Sequence, residues 1–572
     1  MQNYREEYPR PQFIRKDWIN LNGEWQFEID NAKSGTERGL YRSETSLSER
    51  ITVPFCPESR LSGLEHKDFM YGVWYKRVFS LPDNWSTGRT VLHFGAVDYY
   101  CTAYINGVKA GSHKGGYCSF SFDITDLLTA GENTITVYAQ DDTRDPMIPS
   151  GKQCRKYASS GAEYTRTTGI WQTVWLEHKP DAFIDSVKYY TDIKSGTLTV
   201  KAALCGSGNF SVTAFYHGKE VGGAMAESVC GEEILTVKLS EIHLWEAGCG
   251  RLYDLELNFG SDCVKSYFGL RKIHLADGKF YLNDRSVFQR LILDQGFYPD
   301  GIYTAPTDTD LKKDIELSMQ AGFNGARLHQ KIFEERYLYY CDKMGYLVWG
   351  EFPDWGLDHT NPDSIYSILP EWTQMLMRDF NHPSIIGWCP HNETADIEGR
   401  RQYDPGVELL YRQTKAIDGT RPCIDSSGWY HIVTDIYDVH DYNQDPISFK
   451  ANFDRLITEN YLSDENAYND SRQHYSGEPV MVSEFGGIKW LTDEKQDAWG
   501  YGNAPKTQEE FLLRFRSLAE ALLFNPKIFG FCYTQLTDVE QECNGLYTYD
   551  RKTKFDPKRL KEILEQKAAV ED

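Results

Sequence analysis

The sequence predicts a chain of two β-sandwiches followed by a C-terminal (β/α)8 barrel. The chain has 572 residues, and at about 150 residues per domain this length favours three or four domains. Up to about residue 272, short alternating apolar runs are separated by turn signals such as Asn106-Gly107, which is typical of antiparallel β-structure. After Lys272 the apolar runs alternate with helical patterns, which is the rhythm of a barrel of parallel strands.

The first half of the chain divides into two predicted sandwiches. Residues 1–180 contain many short strands with turns between them, which predicts a jelly roll. Residues 181–272 hold another set of short strands, about the length of one immunoglobulin-like sandwich.

The second half, residues 273–572, is predicted to be the barrel. Its eight strands are expected at residues 288–293, 324–328, 346–351, 385–388, 423–426, 436–440, 480–484 and 528–534. In this fold the side chains at the C-terminal ends of the strands form the active site. Polar residues at those ends are therefore the candidates for function.

Composition excludes several classes of partner. The formal net charge is −23, so nucleic acid and acidic membrane surfaces are disfavoured. No apolar run is long enough to span a membrane, no secretory signal is visible, and the 13 cysteines lack CxxC spacing. We therefore expect a cytoplasmic protein with reduced cysteines, no metal and a small-molecule substrate.

Two glutamates stand at predicted strand ends on opposite sides of the barrel mouth. Glu393 follows the fourth strand, and Glu484 closes the seventh. A pair of carboxylates carries out glycoside chemistry when one holds a proton for the leaving oxygen and the other stays ionised. A separation of about 5–5.5 Å would predict a retaining reaction through a glycosyl-enzyme.

The segments around these glutamates resemble glycoside hydrolase family 2. Residues 381–393 resemble the acid/base signature of that family, and residues 482–487 resemble its nucleophile segment. Residues 21–27, 59–74 and 168–176 are similar to landmarks of its sugar-binding jelly roll. The resemblance implies a glycosidase without a metal or organic cofactor, and family members often form dimers or tetramers.

The same resemblance implies roles for individual residues. Glu393 would be the general acid/base and Glu484 the nucleophile. Asn392 would bind the sugar 2-hydroxyl, and Tyr442 would orient the nucleophile. Arg327 would lie beneath the nucleophile, or form a structural ion pair.

Further candidates for substrate binding share a position at or just after a predicted strand end: Asp294, Arg327, His329, Lys331, Trp355, His440 and Tyr533. For Asp294 the alternative is a carboxylate in a turn with Gly296. Trp355 is a candidate stacking platform, or a core residue. The polar jelly-roll loop 151–153 is expected to reach over the barrel mouth.

Two departures from the family pattern bear on the sugar. The family usually has Trp near the end of the eighth strand, where this chain has Tyr533. Its β-glucuronidases hold the uronate carboxylate with an Asn-x-Lys pair, whereas the matching stretch here is Glu542-Cys-Asn544. The usual glucuronide clasp is therefore disfavoured, although Arg327 and Lys331 could together bind a uronate.

These observations leave three hypotheses. The first is a retaining exo-β-glycosidase acting on a neutral β-galactoside. The second is a β-hexuronidase, acting on a β-galacturonide or as an atypical β-glucuronidase. The third, from another class, is a non-catalytic carbohydrate-binding protein.

Overall fold

The computed structural model describes residues 5–229, 231–463, 472–491 and 498–571 of the chain. Its architecture confirms the predicted fold class of a jelly-roll sandwich, an immunoglobulin-like sandwich and a (β/α)8 barrel. The boundaries at residues 180 and 272 stay predictions.

The jelly roll is built from two antiparallel sheets around one apolar core that includes Trp25, Tyr75 and Phe94. The first sheet has the strand order Trp18–Asn20, Val174–Lys179, Arg89–Phe94 and Phe120–Asp123. The second has the order Glu49–Val53, Gly23–Ile29, Val73–Ser80, Glu132–Gln140, Tyr100–Ile105 and Val108–Lys114. A short pair, Val97–Asp98 with Gly169–Ile170, and the 3-10 turns Arg60–Ser62, Asp83–Trp85 and Thr125–Leu127 complete this part.

The immunoglobulin-like sandwich packs a three-stranded sheet against a four-stranded one. The three strands are, in sheet order, Phe183–Asp192, Thr197–Cys205 and Gly231–Lys238. The four are Lys219–Ser228, Gly208–Tyr216, Tyr253–Phe259 and Asp262–Phe268. Along Thr197–Cys205 every second side chain is buried, as expected for strands with one face in a core.

The barrel follows a small sheet of Ile273–Ala276, Lys279–Leu282 and Arg285–Ser286. Seven parallel strands form one continuous sheet: Gln289–Asp294, Gly325–Leu328, Leu347–Glu351, Ile385–Cys389, Tyr437–Asp441, Val480–Gly486 and Ile528–Thr534. They are called here the first to fourth and sixth to eighth barrel strands. The first strand pairs with both the second and the eighth, so the sheet curls toward closure.

The fifth barrel position differs from the prediction of a regular strand at residues 423–426. This segment makes only single bridges to the fourth strand region, at Trp388 with Cys423 and at Asn392 with Ser427. The reason is local: the Asp425 carboxylate accepts hydrogen bonds from backbone N–H groups of this segment and of residues 432 and 433. These bonds favour a turn over a continuous ladder.

In the described part of the barrel, seven α-helices surround or flank the strands: α1 Asp308–Gln320, α2 Glu335–Met344, α3 Ile365–Asp379, α4 Asp404–Ile417, α5 Pro446–Thr458, α6 Gln508–Leu523 and α7 Pro557–Leu564. A 3-10 turn, Pro362–Ser364, precedes α3. None of the helices in the described ranges is long and apolar enough to cross a membrane.

The jelly roll is docked on the barrel by buried polar contacts. Glu371 on α3 accepts backbone hydrogen bonds from Tyr117 at 2.6 Å and Cys118 at 3.1 Å. Near the mouth, the N–H groups of Ser150 and Gly151 donate to the Trp355 carbonyl at 2.8 and 3.0 Å. The loop 150–153 is thereby held at the C-terminal end of the barrel strands.

Candidate active site

The two predicted catalytic glutamates meet at the barrel mouth, with His440 between them. One carboxylate oxygen each of Glu393 and Glu484 and a ring nitrogen of His440 all lie within 4.8 Å of one another. His440 Nδ1 is 2.8 Å from a Glu393 oxygen, and its Nε2 is 3.6 Å from a Glu484 oxygen. The fourth, sixth and seventh barrel strands together bring these three side chains to one point.

Glu393 is presented by a turn rather than by the strand itself. Its backbone has φ 54°, a left-handed conformation that few non-glycine residues adopt. The Glu393 N–H donates to the Ser427 carbonyl at 2.9 Å, which ties the turn to the fifth barrel position. The Glu393 side chain retains 17% exposure, so it can meet a bound molecule.

Arg327 lies beneath Glu484 and links it to two other side chains. Its guanidinium donates to Glu484 at 3.0 Å, to Asn392 Oδ1 at 2.7 Å and to Glu351 at 2.6 Å. Arg327 also donates to the Ser483 carbonyl at 3.0 Å. Every one of these bonds is buried, so the guanidinium fixes the positions of Glu484 and Asn392.

The surroundings of Glu484 favour its ionised form. Burial opposes ionisation, but the charges of His440 and Arg327 and the hydrogen bond from Tyr442 outweigh it and hold the pKa of Glu484 below its usual value. For His440, burial lowers the pKa, whereas Glu484 and Glu393 raise it, and the net direction is upward. The site therefore favours a carboxylate beside an imidazolium.

Tyr442 and an aromatic neighbour complete the environment of Glu484. The Tyr442 hydroxyl donates to Glu484 Oε2 and lies 3.0 Å from Thr534 Oγ1. The ring of Tyr501 stacks on Tyr442 with 3.5 Å between ring centroids. This stacking fixes the direction from which the Tyr442 hydroxyl reaches the carboxylate.

Asn392 combines a positioned acceptor with a free donor. Its Oδ1 accepts from Arg327, and its backbone N–H donates to Asp354 at 3.1 Å. Its buried Nδ2 has no hydrogen-bond partner in the part of the chain that the structure describes. Such a donor beside Glu393 suits a hydroxyl of a bound sugar.

His329 and Trp355 lie on the second and third strand side of the mouth. His329 Nδ1 is 2.9 Å from Glu351, and burial holds the His329 pKa below its usual value. The Trp355 indole N–H donates to the Asn392 carbonyl at 3.3 Å, and its ring remains partly exposed. Trp355 is therefore available as a platform beside Glu393.

Three candidates point away from the carboxylates. Both oxygens of Asp294 are bonded, to the Gly296 N–H and to the Tyr337 hydroxyl on α2, each at 2.9 Å. Asp294 is therefore a carboxylate in a turn with Gly296, and the expected contact with a sugar is wrong, because the side chain faces the helices outside the sheet.

Lys331 and Tyr533 are likewise engaged elsewhere. The Lys331 ammonium donates to the carbonyls of Gly296 at 2.5 Å and Tyr303 at 2.8 Å. Arg327 and Lys331 therefore do not form the predicted joint binding site for a uronate, since each side chain is hydrogen-bonded to other groups. Tyr533 is fully buried and packs edge-on against Phe515 of α6, so the residue near the end of the eighth strand that faces Tyr442 is Thr534.

A buried network occupies the place where the resemblance puts the Asn-x-Lys pair. Tyr164 of the jelly roll donates to Glu542 at 2.6 Å, and Asn544 Nδ2 donates to Glu542 at 3.0 Å. Gln535 in turn donates to Asn544 Oδ1 at 2.8 Å. Burial raises the pKa of the Glu542 carboxyl, against the opposing charge of Lys152.

Sequence reasoning missed Tyr501 and Thr534. Tyr501 reaches the site from a loop after the seventh strand, and no local motif marks it. Thr534 is the residue after Tyr533. Because successive side chains of a strand point to opposite faces, the alternation could have indicated that Thr534 faces the site if Tyr533 does not.

Glu393, His440 and Glu484 are also the three residues whose ligand atoms cluster closely enough for a metal ion. Most of their atoms have partners already: His440 Nδ1 bonds Glu393, and Glu484 accepts from Arg327 and Tyr442. The buried guanidinium beside Glu484 also disfavours a second cation by charge repulsion. The arrangement suits acid–base and nucleophilic chemistry better than metal binding.

Comparison with known proteins gives the family. Residues 18–180 match the family model described as the sugar binding domain of glycosyl hydrolases family 2, and residues 273–566 match its TIM barrel domain. The chain belongs to glycosyl hydrolase family 2. It is therefore a glycoside hydrolase, and specifically a β-glycosidase.

Curated relatives include enzymes named for two different substrates, a β-glucuronide and a β-galactoside. The chain is 25% identical to a β-glucuronidase of Sus scrofa over 453 residues, covering 70% of this chain and 67% of that protein. It is 24% identical to a β-galactosidase of Thermoanaerobacter pseudethanolicus over 412 residues, covering 67% of this chain and 52% of that enzyme. The chain thus spans about half the length of that β-galactosidase.

Solved structures share the whole fold. The β-glucuronidase of Lactobacillus rhamnosus superposes with a TM-score of 0.81 at 19% identity, covering 99% of both chains. The β-glucuronidase of an uncultured Clostridium sp. gives a TM-score of 0.78 at 20% identity, covering 97% of this chain and 99% of that one.

Proposed function

We propose that this chain is a retaining exo-β-glycosidase that works by double displacement, with Glu484 as nucleophile and Glu393 as general acid/base. The observation that carries the proposal is the approach of the two carboxylates, whose nearest oxygens lie within 4.8 Å with His440 between them. A pair this close leaves no room for a water between nucleophile and sugar, which an inverting reaction needs.

The first step forms a glycosyl-enzyme. A Glu484 oxygen attacks the anomeric carbon, the bond from that carbon to the leaving oxygen breaks, and Glu393 gives its proton to the leaving oxygen. Arg327, His440 and Tyr442 hold Glu484 ionised and pointed for this attack. Asn392 would bind the sugar 2-hydroxyl through its Nδ2, which has no partner among the described residues.

The second step releases the sugar. Glu393, now a carboxylate, takes a proton from water, the water oxygen bonds to the anomeric carbon, and the ester bond to Glu484 breaks. His440 is a positioning residue for both steps. The negative charge passes from Glu484 to Glu393 when the glycosyl-enzyme forms. His440 contacts both carboxylates, so its positive charge stabilises Glu484 before the first step and Glu393 before the second.

Azide rescue of two alanine variants tests these roles. With a 2,4-dinitrophenyl β-glycoside, Glu393→Ala should still form the ester and release it slowly. Azide should then restore turnover and give the β-glycosyl azide. Glu484→Ala should lose turnover by about 10⁴-fold or more, and azide should give the α-glycosyl azide. Glu562→Ala, an exposed change on α7, serves as control.

Several results would contradict the assignment. Unchanged turnover in either active-site variant would remove that glutamate from the mechanism. Exchanged azide products would reverse the two roles. Binding of aryl β-glycosides with equal, negligible turnover by wild type and Glu484→Ala would support the carbohydrate-binding hypothesis instead.

For the sugar, a β-hexuronide is a second candidate beside the neutral β-galactoside. The observation that favours it is the ammonium of Lys152 at the mouth, which lies on the Trp355 ring at the end of a largely buried side chain. A panel of nitrophenyl β-galactoside, β-glucoside, β-mannoside, arabinoside, β-galacturonide and β-glucuronide separates the two. Turnover of the uronides alone would exclude the neutral galactoside.

A further inference from the structure

The loop 150–153 of the jelly roll carries a cation into the barrel mouth. Lys152 is 5% exposed, and its Nζ lies 3.6 Å from the centroid of the Trp355 ring. Among residues 5–229, 231–463, 472–491 and 498–571, its ammonium makes neither an ion pair nor a hydrogen bond. An ammonium with three free donors, on a side chain that is otherwise largely buried, is available to an acceptor that a ligand supplies.

The loop that carries Lys152 is held rigidly. Besides the bonds from Ser150 and Gly151 to Trp355, the Lys152 carbonyl accepts from the Tyr164 N–H at 2.7 Å. The next side chain, Gln153, donates to Asp98 at 2.7 Å and accepts from the Thr167 N–H at 2.8 Å. Lys152 is therefore preorganised, so little conformational entropy is lost when it binds a ligand.

Lys152 also lies near the stretch where the resemblance puts a uronate clasp, because Tyr164 bonds both the Lys152 carbonyl and the Glu542 carboxyl. Burial raises the pKa of the Glu542 carboxyl, and the Lys152 charge opposes that rise; burial lowers the pKa of His329, and the Lys152 charge adds to that lowering. Glu542 forms no ion pair with Lys152 in the described part of the chain, because the Glu542 oxygens are bonded to Tyr164 and Asn544. The ammonium and Glu542 thus lie in one region without neutralising each other directly.

We infer that Lys152 determines substrate class by binding the C6 carboxylate of a β-hexuronide. This inference rests on the proposed function, and it assigns to the jelly roll the cation that the barrel lacks at Glu542-Cys-Asn544. The Trp355 ring lies against the Lys152 ammonium. Its indole N–H donates to the carbonyl of Asn392, the residue before Glu393, so this ring is fixed relative to the carboxylate pair.

Binding of paired non-hydrolysable ligands tests the inference without turnover. The ligands are phenyl 1-thio-β-D-galacturonide with its galactoside, and the glucuronide with its glucoside, each pair differing only at C6. Calorimetry is done near neutral pH on wild type, Lys152→Met, Lys152→Arg and Lys156→Met. Lys156 is an exposed lysine of the same loop region, so its variant is matched in charge.

The expected result is a loss confined to the uronides. Lys152→Met should weaken binding of the preferred uronide by about 50-fold or more, as for truncation of a buried charge pair, and change its neutral partner by less than about 3-fold. Lys152→Arg should keep part of the uronide preference, and Lys156→Met should match wild type. Thermal unfolding of each variant checks that the fold is intact.

Three results would overturn the inference: no preference of wild type for either uronide, equal weakening of both members of a pair, or no effect of Lys152→Met. Failure of the double-displacement mechanism is seen separately. It would appear as normal turnover by Glu484→Ala, and it leaves the binding result untouched.

Discussion

At the residue scale, the ionisation of Glu484 is set by three neighbours rather than by exposure to water. The carboxylate is 5% exposed, and a carboxyl in that position would be neutral without compensation. His440, Arg327 and Tyr442 provide that compensation. Arg327 comes from the second barrel strand, whereas His440 lies on the sixth and Tyr442 directly follows it, so the ionisation of Glu484 depends on the convergence of the second, sixth and seventh strands.

Tyr442→Phe should slow catalysis and move its pH dependence. The variant keeps the ring that stacks on Tyr501 and loses the hydroxyl that donates to Glu484. Loss of a hydrogen bond to a charged group should lower kcat/KM by about 10- to 100-fold. Because that bond lowers the pKa of Glu484, the acidic limb of the kcat/KM profile should move to higher pH.

Tyr411→Phe is the matched control for this change. Tyr411 is on α4, away from the mouth, and its hydroxyl donates to Asp435 at 2.8 Å. Its removal should leave the pH profile where it is. An acidic limb that stays in place in Tyr442→Phe as well would mean that the Tyr442 hydroxyl does not control Glu484.

The residues whose location at the mouth could be predicted from the sequence are those that follow local motifs. Glu393 and Glu484 follow short apolar strands directly, and the strand ends of a barrel converge. Asp294 and Tyr533 were expected at the mouth, yet they face the helices, because successive side chains of a strand point to opposite faces. Around Glu484 the pairing register also shifts between Val482 and Phe485, which simple alternation cannot anticipate.

At the scale of elements, a jelly-roll loop completes the wall of the barrel mouth. Gly151 has φ 54°, and a Cβ atom there would lie 2.5 Å from the Gln330 carbonyl oxygen. Only glycine fits this approach. The sequence predicted that loop 151–153 reaches over the mouth, but the pairing of Lys152 with Trp355 depends on docking between distant parts of the chain.

Gly151→Ala should disrupt this docking. The added methyl group clashes with the barrel backbone, so the free energy of unfolding should fall by about 1–3 kcal/mol, and kcat/KM should fall with it. Gly161→Ala is the control, since Gly161 has φ 62° with nothing within 4 Å of its Cβ position. Gly161→Ala should lower the free energy of unfolding by about 1 kcal/mol, through the strain of a positive φ without any clash. Equal effects of the two variants on kcat/KM would contradict a role for the loop.

At the scale of the whole molecule, buried carboxyl groups lie inside the jelly roll and at its contact with the barrel. Burial raises the pKa of Glu371 to about 7, although backbone N–H groups of the jelly roll oppose this shift. Burial likewise raises the pKa of Glu58 to about 7 and of Asp141 to about 8. Hydrophobic periodicity predicted both units, but not these groups, because an isolated acidic residue in the sequence indicates an exposed side chain.

The stability of the protein should therefore fall as pH rises through this range. A carboxyl with a raised pKa in the folded state contributes fully below its unfolded pKa of about 4.5, and this contribution is lost as pH rises toward 7–8. Urea denaturation should give a free energy of unfolding lower by about 1–3 kcal/mol near pH 8 than near pH 5.

Glu371→Gln should reduce that fall, since the amide oxygen can still accept from the Tyr117 and Cys118 N–H groups without gaining a charge. Glu562→Gln on α7, where the side chain is exposed, should leave the pH dependence unchanged. A fall of equal size in Glu371→Gln and wild type would assign the pH dependence to other groups.

The anomer released first by the enzyme tests the central claim most directly. Proton NMR during hydrolysis of the best aryl β-glycoside resolves the anomeric signal before mutarotation. Close carboxylates at Glu393 and Glu484 predict that the β-anomer appears first, through an ester on Glu484. First appearance of the α-anomer would mean a single displacement by water, and would contradict the double-displacement mechanism.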